Sequence, residues 1–195
     1  MNHNFEMIAS IIRDRRTVKA ASMNGKIIPD ATISKLLALA DCAPTHARTE
    51  PWRFNVYRGE ALTSFCKDHA QMYWDNTAEE VRKQATFDSL SQVADNASHL
   101  VVVMMKRTPA AKIPWNEEFA ATAAAVQNIL LGAEALQLAA IWNTGGMALK
   151  QPMKDYLQLE ADDCVMGFIY LGYTDQPKRE MVRNIPLAAK INWVS

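Results

Sequence analysis

A chain of 195 residues, 49% hydrophobic and 22% charged, is long enough to bury a core and too apolar to stay disordered. Lysine plus arginine and aspartate plus glutamate number 21 each, so the positive field that draws proteins to nucleic acid is absent. Cys42, Cys66 and Cys164 cannot all pair with one another and fit no CxxC or Cys/His spacing for zinc, so a reducing cytoplasm and no metal site are expected.

The first residues, MNHNFEMIASIIRDRR, interrupt their apolar run with Glu6 and lack a small-residue cleavage site, unlike a signal peptide. Phe5, Ile8, Ile11 and Ile12 recur at helical spacing and predict an amphipathic helix ending near Arg15. Lys19 to Ile28 reads as loop. Asp30 is placed to cap a second helix carrying Ile33, Leu36, Leu37 and Ala40, which Pro44 stops.

Arg53 to Tyr57 alternates as a strand does, Gly59 breaks it, and Ala61 to Lys67 predicts a further helix. Asn76 to Glu80 resembles a capping box opening another. Leu100 to Met105 and Cys164 to Leu171 are unbroken apolar runs of strand length, which suit strands covered on both faces at the centre of a sheet. Between them Asn116 to Leu138, rich in Ala and Leu, predicts a long helix buried nearly all round. Its Gln127 and Asn128 keep it short of the roughly 18 apolar residues of a membrane span.

Ala139 to Asn143 follows as a short strand, Thr144-Gly145-Gly146 as a tight loop, Gln151 to Leu157 as a helix, and Tyr173 to Ser195 as an extended arm. One domain spanning 1–195 and a mixed α+β fold are expected, with more helices than strands. Among seven glycines there is no GxGxxG and no P-loop, and HExxH and GxSxG are missing too.

Three polar stretches stand out, each with a plain reading of its own. Arg13, Arg15, Arg16 and Lys19, beside Thr17, suit a phosphate dianion, yet cations at a helix C-terminus also simply complement the macrodipole. APTHARTEPWRF can be an ordinary surface loop, and WNTGG an ordinary turn. Taken together and in register, RRT, H-x-x-T-E-P-W-R-F, I-W-x-T-G-x-M-A and V-M-G-F-I-Y-L-G resemble the nitroreductase-like flavoprotein family, and more narrowly its short-chain, YdjA-type branch.

That resemblance implies a nitroreductase-like fold, a mostly antiparallel central sheet flanked by helices around a long buried helix, in an interlocked homodimer with FMN at each of two shared sites. Carried over by position, Arg15, Arg16 and Thr17 would hold the phosphate and pyrimidine edge, Arg15 toward the N1 and C2 edge and Arg16 toward phosphate. Cys42 and His46 would line the cofactor, one of them across the interface, while Trp142, Asn143, Thr144 and Gly145 would run beside the isoalloxazine, with Gly146 keeping that approach open. Lys178, Arg179 or Arg183 would complete the phosphate site, Arg183 being preferred. Tyr73 and Trp74 would roof an acceptor pocket or pack against the core. The more common family loop carries Asn and Gln where this chain has Arg48 and Glu50, so those side-chain contacts do not transfer.

The implied activity is an oxidoreductase: NADH or NADPH gives hydride to flavin N5 and leaves, and an electron-poor small molecule, a nitroaromatic or quinone, then takes the electrons, with no catalytic side chain required. A flavoenzyme for enones or halogenated aromatics, and a flavin-binding dimeric scaffold without turnover, are the alternatives.

Overall fold

The two unbroken apolar runs form the middle of a sheet. The computed structural model describes residues 2–108 and 112–194. β1 (Trp52–Arg58), β2 (His99–Met105), β4 (Cys164–Gly172) and β3 (Ala139–Asn143) lie side by side in that order, every neighbour antiparallel. All seven residues of β2 are buried, and each fully buried Val or Leu side chain contributes about 1.5 to 3 kcal/mol. Strands covered on both faces therefore need no polar alternation, and none is present.

Successive side chains of β2 go to opposite layers. Val101, Val103 and Met105 pack with α2 (Asp30–Ala40) and α5 (Trp115–Ala135). Leu100, Val102 and Met104 pack with α3 (Gly59–Asp75) and α6 (Gln151–Tyr156). α1 (His3–Asp14) lies against α5, and α4 (Gln84–Ser91) against α3. Among the described residues, no helix is long and apolar enough to cross a membrane.

β4 keeps its parity only by inserting one residue. Val103 faces Gly167 and Met104 faces Val165, so Met166 has no opposite number. Val165 and Phe168 then share one layer, and Met166 and Ile169 the other. Gly167 takes φ +127° at this bulge, and a Cβ there would lie 2.7 Å from Trp142 Nε1 and 2.8 Å from the Asn143 carbonyl. The bulge also turns the Met166 carbonyl to accept the Trp142 indole N–H at 2.8 Å.

Several local expectations are corrected. Asp30 begins α2 without capping it; its carboxylate instead meets Arg58 at 3.3 Å and His99 Nε2 at 3.2 Å. Behind it, Ser98 Oγ accepts the Ile28 N–H at 2.7 Å and lies 2.8 Å from His99 Nδ1. This Ser–His–Asp string is a structural tie, since Ser98 and His99 are buried and the hydroxyl already serves the backbone. α3 runs to Asp75, well beyond Lys67, because Leu62, Phe65, Cys66 and His69 continue one buried stripe. No helix opens at Asn76: its side-chain amide and its N–H both cap α3 on Met72 O, so α4 starts only at Gln84.

α5 buries one full face, while Trp115 and Phe119 on another remain open. At Gly132 it meets α2 so closely that a Cβ would lie 2.7 Å from Leu39 Cδ1. The arm after Tyr173 is irregular apart from a 3-10 turn at Leu187–Lys190, and exposed beyond the half-buried Thr174; its final Ser195 lies outside the described residues. Gly167→Ala is expected to cost about 3 kcal/mol, combining a strained φ with overpacking against backbone. Denaturant titration of the apo-protein measures this, and a change under about 0.5 kcal/mol would show that the bulge relaxes freely.

Candidate functional site

β3 carries one polar feature at each end. At its start the Val18 N–H donates to the Ala140 carbonyl at 3.0 Å, fixing the segment after α1 beside the strand. A cleft of about 230 Å³ opens there, lined by Arg16, Thr17 and Lys19, by Glu134 and Gln137 at the end of α5, and by Gln176, Lys178 and Arg179 of the arm. Four cations facing one carboxylate leave a net positive site, the chemistry that holds a phosphate.

The arm is laced across this cleft. Arg16 Nε donates to the Arg179 carbonyl at 2.8 Å, and its Nη1 to the carbonyls of Arg13 and Arg15. Lys178 pairs with Glu134, and Thr174 Oγ1 donates to the Ser22 carbonyl at 2.6 Å. Arg15 and Arg183 are not among the lining residues. Arg15 is the C-cap of α1, its N–H on Ile11 O, and Arg183 is exposed with Nη1 on its neighbour's carbonyl. Of the three late basic residues, the structure brings Lys178 and Arg179 to the cleft.

Five residue steps of about 3.3 Å each lead from Ala139 to Thr144, so the other feature lies about 16 Å along β3. There Asn143 Oδ1 accepts the Gly145 N–H at 3.1 Å, and Thr144, Gly145 and Gly146 are exposed. Beneath them, the Met147 N–H donates to Nε2 of His69 at 2.9 Å. Gly146 takes φ +63°, and a Cβ on it would lie 2.6 Å from that same nitrogen. The turn thus needs glycine for its backbone and for the ring under it.

Thr45 to Glu50 is a third, separate feature. Ala47, Arg48 and Glu50 all have positive φ, between 45° and 56°, which costs about 1 to 2 kcal/mol for each such residue. Thr45 holds the strained loop together, with Thr49 Oγ1 at 3.0 Å from its hydroxyl and the Glu50 N–H donating to it at 3.3 Å. His46 is exposed and its Nδ1 lies 2.5 Å from Glu117 Oε2. Cys42 lines an apolar groove with Ile8, Ile11, Ile12 and Leu39. Neither reaches the cation-lined cleft of its own chain.

Tyr73 and Trp74 are engaged in joining α3 to the segment before α4. The Tyr73 hydroxyl accepts the Lys83 N–H at 2.9 Å, and Trp74 lies under the Arg82 guanidinium at 4.4 Å and edge-on to Phe87 at 5.7 Å. Leu90 of α4 nevertheless approaches Gly146, so this hairpin does border the turn.

Residues 12–173 match the model of the Nitroreductase family. The chain belongs to that family. A Bacillus subtilis (strain 168) relative named "Putative NAD(P)H nitroreductase YfhC" is 26% identical over 179 residues, covering 89% of this chain and 88% of that one. The crystal structure of a nitroreductase-like family protein from Bacillus cereus is 27% identical, with a TM-score of 0.82 over 96% of this chain and 95% of the other. An FMN-dependent nitroreductase, NfnB of Mycobacterium smegmatis, solved in complex with NADPH, shares the fold at a TM-score of 0.73 and 15% identity, covering 98% of this chain and all of that one. This family member is accordingly an oxidoreductase by descent.

Two residues of the geometry have no assigned contact in the sequence pattern. Lys19 is one of the helix-end cations that suit a phosphate, but the family resemblance gives it no contact of its own; it lines the cleft. No motif singles out His69, whose signal is positional: it occupies the apolar stripe Leu62, Phe65, Cys66 on α3. Burial pushes its pKa from 6.5 down to about 4. Burial likewise raises the Cys66 and Cys164 thiols to about 11, which removes both as nucleophiles.

The His69 shift has a pH consequence. Between pH 6.5 and about 4 the unfolded chain takes up a proton that the folded chain refuses, so stability falls as pH drops through that window. The whole loss is about 3 kcal/mol, at 1.36 kcal/mol per pKa unit. His69→Gln is expected to abolish that component, so the difference in unfolding free energy between wild type and variant should shift in the variant's favour from pH 7 to pH 4.5. A difference that stays constant over that range would refute the assignment.

Proposed function

We propose that this family member is an FMN-dependent oxidoreductase that takes electrons from NADH or NADPH and passes them to an electron-poor small molecule, a nitroaromatic or a quinone, in two alternating half-reactions. The observation that carries the reading is the arrangement on β3: a cation-lined cleft of phosphate character at one end and an exposed glycine turn at the other. The donor set fits FMN, whose phosphate dianion matches guanidinium and ammonium groups and whose flat ring system suits a backbone without side chains. When bound, FMN supplies the site of hydride gain and loss, and no nucleophile or general acid is asked of the protein.

The residues then have separate tasks. Arg16, Thr17, Lys178 and Arg179 grip the phosphate; Lys19, which lines the cleft where Arg15 and Arg183 do not, supplies positive charge toward the ring's anionic edge. Trp142 and Asn143 hold the turn, through the indole bond to Met166 and the side-chain bond to Gly145. Thr144, Gly145 and Gly146 lie along the ring. The α3–α4 hairpin, with Tyr73 and Trp74 inside it, borders the acceptor side.

The protein works as a homodimer in this reading. α1 buries none of its residues, and Phe5, Met7, Ile8 and Ile12 are each at least half exposed. So much apolar surface on one helix calls for a cover. The groove beside it contains Cys42 and adjoins the strained Thr45–Glu50 loop, so that a second copy seated there receives Cys42 and His46 into its own flavin site.

Colour tests the proposal directly. Reconstituted protein is expected to be yellow, to release FMN on heating, and to bleach when NADH or NADPH is added without oxygen. Failure to retain FMN would sink the reading, and retention without bleaching would leave a flavin-binding scaffold. Arg16→Ala is expected to weaken FMN binding by about 10- to 100-fold, the loss of a charge-assisted bond of roughly 1.5 to 3 kcal/mol. Titration of FMN into apo-protein reads this, and equal affinities would return Arg16 to pinning the arm.

A further inference from the structure

Two histidines are buried, and His69, unlike His99, has its ring sealed in the core beneath an exposed turn. It is 1% exposed, and its neighbours are Phe65 at 6.4 Å and Phe168 at 5.2 Å between ring centroids. A buried histidine is commonly explained by two hydrogen bonds, one at each nitrogen. Here Nε2 has one, from the Met147 N–H, while Nδ1 has no partner among the described residues.

The hydrogen-bond directions fix the state of the ring. An N–H donor at Nε2 requires a lone pair there, so the neutral ring carries its proton on Nδ1. Protonation would set a second N–H against that of Met147 as well as burying a charge. The molecule therefore tolerates an unpartnered Nδ1–H in its core in order to present one acceptor to one backbone amide, two residues beyond Gly145. The same ring fills the space a Gly146 side chain would need.

We propose that His69 is the positioning residue of the turn: through the lone pair on Nε2 it holds Thr144–Met147 in the shape that lies along the cofactor ring. The inference rests on the flavin reading for its functional half. The pin itself is a property of the apo-protein and stands apart from it. His69 touches no reacting atom in this scheme. It acts through the Met147 amide, setting the height and tilt of the turn on the side away from the Asn143–Gly145 bond, where Gly145 and Gly146 have no side chains to do so.

Two isosteric amides separate the two nitrogens. His69→Gln places its amide at the level of Nε2, within reach of Met147, whereas His69→Asn reaches only the level of Nδ1. Both variants keep a polar, non-titrating group in the core. Hydrogen exchange on the apo-protein is expected to show the Met147 amide as protected in the glutamine variant as in wild type, and to show its protection cut about ten-fold or more in the asparagine variant, the scale of one lost buried hydrogen bond. On the FMN-loaded protein, the asparagine variant alone is expected to bind FMN about ten-fold more weakly and to shift the visible flavin absorbance, a signature that lost core packing by itself would not give. Equal Met147 exchange in all three proteins would overturn the pin. Unequal exchange with identical FMN affinity and spectrum would overturn its role at the cofactor. If wild type binds no FMN at all, the flavin reading fails while the exchange comparison still decides the contact.

Discussion

The antiparallel ladder between β2 and β4 is the constraint from which the rest of the molecule follows. Both strands are buried on both faces, so each successive side chain is committed to one helical layer or the other, and a slip of one residue would exchange the two cores. β4 accommodates this commitment with a bulge at Gly167. The extra residue lets Val165 and Phe168 face one layer and Met166 and Ile169 the other, and it turns a carbonyl toward Trp142 on β3. Packing demand on a central strand thereby fixes the orientation of an edge strand. That edge strand carries both polar features of the candidate site.

Charge in the cleft is organised by satisfaction rather than by exposure. Arg16 uses Nε and Nη1 on three carbonyls, one of them in the arm, and Lys178 is matched by Glu134. An anion entering such a cleft meets groups already held at fixed positions, which lowers the side-chain entropy lost on binding. In the proposed reading a phosphate also competes with Glu134 for Lys178. The strained Thr45–Glu50 loop is a different device: three non-glycine residues at positive φ persist because Thr45 bonds both to Thr49 and to the Glu50 N–H.

Much of this fold was legible because its signals are local. An unbroken apolar run of six residues, Leu100–Met105, or eight, Cys164–Leu171, can only be a strand covered twice or a buried helix segment, and its length decides between them. The spacing of Phe5, Ile8, Ile11 and Ile12, and the order of RRT, THARTEPW and WNTGG, are equally local. Expectation and structure part where a local rule meets a distant partner. Asp30 has the composition of a helix cap, yet Arg58 and His99, brought close by the sheet, take its carboxylate. Asn76 has the look of a helix start, yet it closes the helix behind it.

By itself the sequence determined the class of elements, their order and the motifs that place the chain in its family, because hydrophobic period and turn chemistry act over a few residues. Only the tertiary structure decided which groups share a site. Lys178, Arg179 and Arg183 are equivalent cations on paper, and the path of the arm alone brings the first two to the cleft. His69 is one more polar residue in a helical stripe, and it becomes the support of a turn 78 positions away only when α3 packs under the end of β3. Such contacts are set by the closure of long loops around a shared core, and no local pattern of residues encodes where those loops will meet.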